Sequence, residues 1–146
     1  LEEAGLATLK AFDVRERFFH FEYFITPEGD VVALEVNMRP PGGLSMDMFN
    51  YANDINLYQQ WANVMVNNEF TEEYSRKYYC AYACRRDHKK YRYTHEEILK
   101  ACSDTVVHSE PISGIFSGAL GNFGYLVRDE DLDKVKKVIE LIQTKV

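Results

Sequence analysis

Long apolar runs are missing from this chain. No stretch approaches the 18 or so residues of a membrane span, and Leu1 opens an amphipathic segment instead of a signal peptide. Cysteine is scarce: Cys80, Cys84 and Cys102 are odd in number and show no C-x-x-C spacing. That excludes a fully paired disulfide framework and argues against structural zinc. Reduced, partly buried thiols in a cytoplasmic protein are expected. Positive charge is in deficit, with 17 Lys and Arg against 23 Asp and Glu, a net charge of −6. Such a chain is poorly suited to nucleic acid, where phosphate neutralisation carries the affinity. Repeats and low-complexity linkers are absent too. What is present, 46% hydrophobic and 27% charged residues, excludes bulk disorder. A chain of 146 residues buries about 69% of its surface on folding, enough for one core and too little for two full domains.

Periodicity predicts a mixed α+β unit. Leu1 to Phe12 approximates a helical face, with Leu1, Leu6, Leu9 and Phe12 among alanines. Arg17 to Thr26 and Val31 to Arg39 alternate as strands around the turn signal Pro27-Glu28-Gly29-Asp30. Pro40-Pro41-Gly42-Gly43 must be a loop. Asp54 to Asn67 reads as a helix with Leu57, Trp61, Val64 and Met65 on its apolar face and Asn56, Gln59, Gln60, Asn63 and Asn67 on the solvent side. Lys77 to Arg86, Val106 to Glu110, Gly114 to Phe116 and Phe123 to Arg128 are strand candidates. Thr94 with Glu97 forms a capping box before a short helix to Ala101. Asp129 to Val146 is a closing helix with Leu132, Val135, Val138, Ile139 and Ile142 inward. The basic run Arg85, Arg86, His88, Lys89 and Lys90, beside Tyr91 and Tyr93, reads as a solvated loop, with a substrate-facing segment as the alternative.

The hairpin register follows from parity. The first strand's apolar set, Phe19, Phe21, Tyr23 and Ile25, is odd; the second's, Val32, Leu34, Val36 and Met38, is even. One shared face requires paired numbers to sum to 57, which gives Ile25–Val32, Tyr23–Leu34, Phe21–Val36 and Phe19–Met38. On the other face Glu22 then opposes Glu35, and His20 opposes Asn37. Directly opposed carboxylates repel, so a shared proton, a basic side chain or a divalent cation is needed to compensate. Two carboxylates with the Asn37 amide oxygen form a hard oxygen donor set suited to Mg²⁺ or Mn²⁺. Arg39 continues that face as a cationic fork for an oxyanion. Alternation alone also accounts for polar residues there, as the solvated side of an antiparallel sheet. A bulge at Gly29 would shift the sum to 56 and place Phe21 across from Glu35.

His20-Phe21-Glu22-Tyr23-Phe24, the turn with Gly29, and Leu34-Glu35-Val36-Asn37-Met38-Arg39-Pro40-Pro41-Gly42-Gly43 together resemble the ATP-grasp superfamily. The likeness is to its carboxylate–amine ligase branch, near the carbamoyl-phosphate synthase and biotin carboxylase branches, and it covers residues 18–43. It implies that the fold is the C-terminal lobe of an ATP-grasp domain, an antiparallel sheet with flanking helices. Glu22, Glu35 and Asn37 match the metal ligands, which would hold one or two Mg²⁺ (or Mn²⁺) ions on the phosphates of ATP. Glu22 and Glu35 thereby belong to the nucleotide site, with Phe24 against the adenine. Arg39 matches the catalytic arginine that steadies the transferring phosphoryl group or the acyl-phosphate. Arg39, Gly42 and Gly43 would meet the substrate.

The implied reaction activates a small-molecule carboxylate as an acyl-phosphate and joins it to an amine. A carbamoyl-phosphate synthase-like or biotin carboxylase-like enzyme, and a catalytically silent ATP-grasp regulatory module, are the alternatives; a plain structural domain is a further one. The family's first lobe, which supplies lysines and a phosphate-covering loop, has no match within residues 1–146. The chain is therefore expected to be the C-terminal portion of a longer cytoplasmic ligase, partnered by a missing N-terminal lobe of the same protein. It is expected to be inactive alone and to bind neither nucleic acid nor membrane; a homodimer is compatible with the sequence.

Overall fold

Helix boundaries are set by side chains near their ends. A computed structural model describes all 146 residues. Helix α1 (Glu2–Ala11) carries Glu2 and Glu3 in its first turn and Lys10 in its last, both favourable to the helix dipole. Strands β1 (His20–Ile25) and β2 (Val31–Asn37) form an antiparallel two-stranded sheet. Helices α2 (Ser45–Asn53) and α3 (Leu57–Asn67) follow, the second capped by Asn56, whose side chain accepts from Gln59 N–H. Then come β3 (Tyr79–Arg85), α4 (His95–Ala101), β4 (Val106–Pro111), α5 (Ser117–Leu120), β5 (Phe123–Asp129) and α6 (Leu132–Gln143). The capping box at α4 forms as expected: Glu97 N–H donates to Thr94 Oγ1, and Thr94 N–H donates to the Glu97 carboxylate at 2.8 Å.

The α+β class holds, with small antiparallel sheets and flanking helices. The expectation of a single unit does not. The chain divides into two compact units, Leu1–Met46 with Asn56–Glu73, and Asp47–Ile55 with Tyr74–Val146. The division falls inside α2, so no linker composition signals it. Helix α2 was itself missed by periodicity, because Met46, Phe49 and Tyr51 are spread among Asp and Asn residues of low helix propensity.

The second unit contains a packed core. Its sheet runs β3-β5-β4, with α6 packed against β3 and β5. Ile98, Tyr125, Val127, Val135 and Ile142 are all at most 1% exposed, and burying each aliphatic side chain stabilises the fold by roughly 1.5–3 kcal/mol. By alternation Leu126 and Arg128 lie on the opposite face of β5. There Arg128 donates to the Tyr51 carbonyl at 2.9 Å, pairs with the Asp54 carboxylate and lies 4.1 Å over the Tyr78 ring. The arginines of the basic run are not solvated. Arg85 donates to the carbonyls of Ile142 and Tyr93 and stacks on Tyr91, and Arg86 donates to those of Ser117 and Gly118. They act as struts because a guanidinium can donate to several carbonyls at once.

Three other expectations change. Residues 114–116 form a turn instead of a strand, with Phe116 N–H donating to Ser113 and Ser117 Oγ to Gly114. Leu132 sits at the start of α6 and is 40% exposed. On α3 the buried residues are Gln60 and Val64, while Trp61 and Met65 are 41% and 61% exposed. Gln60 goes inside because its side-chain oxygen accepts from both the N–H and the hydroxyl of Thr71, which offsets the cost of burying an amide.

The first unit is far more open. Its buried residues are Met46, Gln60 and Val64, and none lies in α1, β1 or β2.

Candidate functional site

The β1–β2 hairpin reaches its register through two irregularities that cancel. At the tip, Thr26 N–H donates to Asp30 and Gly29 N–H donates to Thr26, both at 2.9 Å, and Gly29 has φ +93°. This is a tight turn closed by a left-handed glycine, and it sets the tip pairs one residue short of the expected register. Ile25 therefore faces Val31, Phe24 faces Val32 and Tyr23 faces Ala33. The expected Ile25–Val32 and Tyr23–Leu34 pairs do not form. A second shift between Glu22 and Tyr23 leaves Leu34 as an extra residue on β2. Beyond it the expected register holds: Glu22 faces Glu35, Phe21 faces Val36 and His20 faces Asn37. The Gly29 alternative is thus realised at the tip and undone before it reaches the carboxylates.

Both carboxylates are exposed, and neither forms an ion pair or a hydrogen bond. The basic side chain that could offset their repulsion is thus not supplied by the chain. Asn37 is held by His20: its Nδ2 lies 3.0 Å from His20 Nε2, and His20 Nδ1 lies 3.0 Å from the Arg39 carbonyl. On the other side of β1, Tyr23 anchors the hairpin to α1. Its hydroxyl lies 2.7 Å from Thr8 Oγ1, whose own proton goes to the Ala4 carbonyl.

The remaining expected site residues are exposed or open. Arg39 is exposed, and its guanidinium donates to the Pro40 carbonyl. Phe24 is 58% exposed and shares its strand face with Glu22 by alternation. Gly42 meets no neighbouring atom within 4 Å of a built Cβ, and Gly43 has φ +62°. No third Asp, Glu, His or Cys joins Glu22 and Glu35. A donor set on this face would be limited to the two carboxylates and the Asn37 amide oxygen. That set fits a hard divalent ion, which retains water or phosphate oxygens for its other positions.

Two clefts of the first unit are lined by other residues. One of about 500 Å³ is lined by Arg15, Arg17, Met38 and Asn68 among others, and an adjoining one of about 330 Å³ by Arg17, Phe18 and Phe70. The chain between α1 and β1 that borders them has left-handed, non-glycine backbone at Asp13 (φ +47°) and Glu16 (φ +35°). The register legible in the sequence sets His20 opposite Asn37, but nothing in the sequence signals that the ring bonds the Asn37 amide. No protein-family model matches the chain, and no curated protein matches its sequence.

Proposed function

We propose that the chain is the C-terminal portion of an ATP-grasp carboxylate–amine ligase, with Glu22, Glu35 and Asn37 as ligands of one or two Mg²⁺ or Mn²⁺ ions. The observation that carries this reading is the direct opposition of Glu22 and Glu35 on one sheet face, with no basic partner for either. Two unpaired carboxylates placed together gain most from a doubly charged ion. The thinly buried first unit, in which the hairpin apolars Ile25, Val32 and Leu34 are 60%, 48% and 53% exposed, supports a missing lobe over this region. The three free cysteines are compatible with a cytoplasmic site of action.

When bound, the ion supplies charge neutralisation and alignment for the phosphates of ATP. Glu22 and Glu35 hold their oxygens on the phosphate side, and Phe24 offers an exposed ring to the base. Arg39 meets the oxyanion of the moving phosphoryl group, and the open backbone at Gly42 and Gly43 admits the substrate carboxylate closely. A substrate carboxylate oxygen attacks the γ-phosphorus and the bond to ADP breaks; the amine then attacks the acyl carbon and phosphate leaves. The chain's contribution is to orient these groups.

The test is titration of the ¹⁵N-labelled chain with Mn²⁺, read as paramagnetic broadening of its amide signals. Broadening confined to residues 20–24 and 35–39, and lost in the Glu35→Gln/Asn37→Ala double variant, is the expected result. Broadening spread over acidic residues elsewhere, or unchanged in the double variant, overturns the assignment. ADP release driven by the chain alone overturns its reading as one portion of the enzyme.

A further inference from the structure

The hydrogen bonds of His20 fix more than its own ring. A carbonyl oxygen only accepts, so the 3.0 Å contact of His20 Nδ1 with the Arg39 carbonyl requires a proton on Nδ1. In the neutral ring Nε2 is then an acceptor, and the atom 3.0 Å away is the Asn37 amide nitrogen, a donor. One amide N–H is thereby committed to the ring. Asn37 Oδ1 makes no hydrogen bond within the chain and is the free atom of that side chain. Without the ring, the amide could present either its NH₂ or its oxygen to the Glu22–Glu35 face, and NH₂ repels a cation.

We infer that His20 is a positioning residue: with Nδ1–H held by the Arg39 carbonyl and Nε2 accepting from Asn37, it commits the Asn37 oxygen to the cation site beside Glu22 and Glu35. The inference rests on the cation reading proposed above and adds the residue that orients one of its ligands. Outer partners of this kind fix the orientation of a ligand and raise its occupancy. The same ring pins the Arg39 backbone, so the loop that begins at Pro40 starts from a fixed point.

The experiment uses the ¹⁵N-labelled 146-residue chain and Mn²⁺ alone at pH 8, with three variants. Imidazole nitrogen spectra of the wild type are expected to show the Nδ1–H form. Mn²⁺ broadening is expected to need about 10–100-fold more metal in His20→Ala. In His20→Gln, whose side-chain oxygen can accept the same Asn37 N–H, most of the affinity is expected to return. Glu35→Gln should abolish the effect. An Nε2–H ring, or His20→Ala binding as well as the wild type while Glu35→Gln loses the metal, overturns the positioning role and leaves the cation reading intact. Equal weakening in His20→Ala and His20→Gln also overturns it, because ring bulk would then be what matters. No local broadening in the wild type removes the cation reading, and this inference with it. Should His20→Ala fail to fold, the ring form and the His20→Gln titration still decide.

Discussion

Replacing Glu35 by Gln should stabilise the first unit in the absence of divalent ions. Glu22 and Glu35 are directly opposed, which puts their Cβ atoms about 4.5–5.5 Å apart and their charges about 6 Å apart. Coulomb's law then gives about 0.7 kcal/mol of repulsion at the dielectric of water and about 2.8 kcal/mol at an effective value of 20. Both side chains are exposed, so the lower end applies, and removing one charge should be worth about 0.5–1 kcal/mol. For a unit of this size that is an increase of about 2–8 °C in Tm. Trp61 is the single tryptophan and lies in the first unit, so its fluorescence reports that unit's unfolding. In EDTA at low salt the variant should melt above the wild type, and 1 M KCl should shrink the gap, because screening weakens exposed charge pairs. Added Mg²⁺ should raise the wild-type midpoint and leave Glu35→Gln nearly unmoved. A variant that melts lower in EDTA, or a gap insensitive to salt, would refute the reasoning, since electrostatic repulsion could not then be its source.

Gly29→Ala should destabilise the hairpin by about 1–2 kcal/mol, because φ is +93° although the added methyl meets nothing within 4 Å. Gly42→Ala, in open space at an ordinary φ, is the control and should leave the Trp61 midpoint unchanged. Gln60→Leu should cost about 0.5–1.5 kcal/mol by the same fluorescence assay, because it removes the side-chain acceptor of the Thr71 N–H. Arg128→Ala should flatten the acid limb of the second unit's stability, measured by urea unfolding across pH. The Arg128 hydrogen bond holds the Asp54 carboxyl below its ordinary value. That contribution is present above about pH 4 and is lost as pH falls through the lowered value; an unchanged slope in the variant would refute it.

Much of the fold was legible where local signals agreed. The Thr94–Glu97 capping box, the alternation of residues 123–128 and the apolar stripe of 135, 138 and 142 each point one way, and each element forms. The failures came where tertiary contacts overrode local pattern. Gln60 looked solvent-facing until Thr71, eleven residues on, supplied its hydrogen bonds. Arg85 and Arg86 looked like a solvated charge run until distant carbonyls appeared as acceptors. The Glu22–Glu35 opposition expected from parity is present, but an unbroken ladder does not produce it. Parity describes an unbroken ladder, whereas in the structure the turn at Gly29 sets a one-residue offset that the extra residue Leu34 takes back. Period-two reasoning detects a single slip because every side chain changes face, whereas two cancelling slips leave the far end untouched.

That cancellation bears on what holds the candidate site in place. The strands carrying Glu22, Glu35 and Asn37 contain no fully buried residue, and an isolated two-stranded hairpin is marginal in water. Its stability comes from the turn at Gly29, the Tyr23–Thr8 contact with α1, and the His20 bridge across the open end. Local opening of such a segment lies at the low end of the free-energy scale for a folded chain. A ligand that needs Glu22 and Glu35 in register binds only the closed hairpin, so binding and hairpin order are linked. Amide hydrogen exchange should therefore slow in residues 20–25 and 31–37 when Mg²⁺ is added, with the second unit's β5 amides unaffected. The same exchange rates in Glu35→Gln should not respond to the ion, even though that variant's hairpin is the more stable one without it. Opposite signs of the two effects in one substitution, a gain without metal and a loss of response with it, separate an electrostatic ligand pair from a pair of carboxylates that merely face solvent.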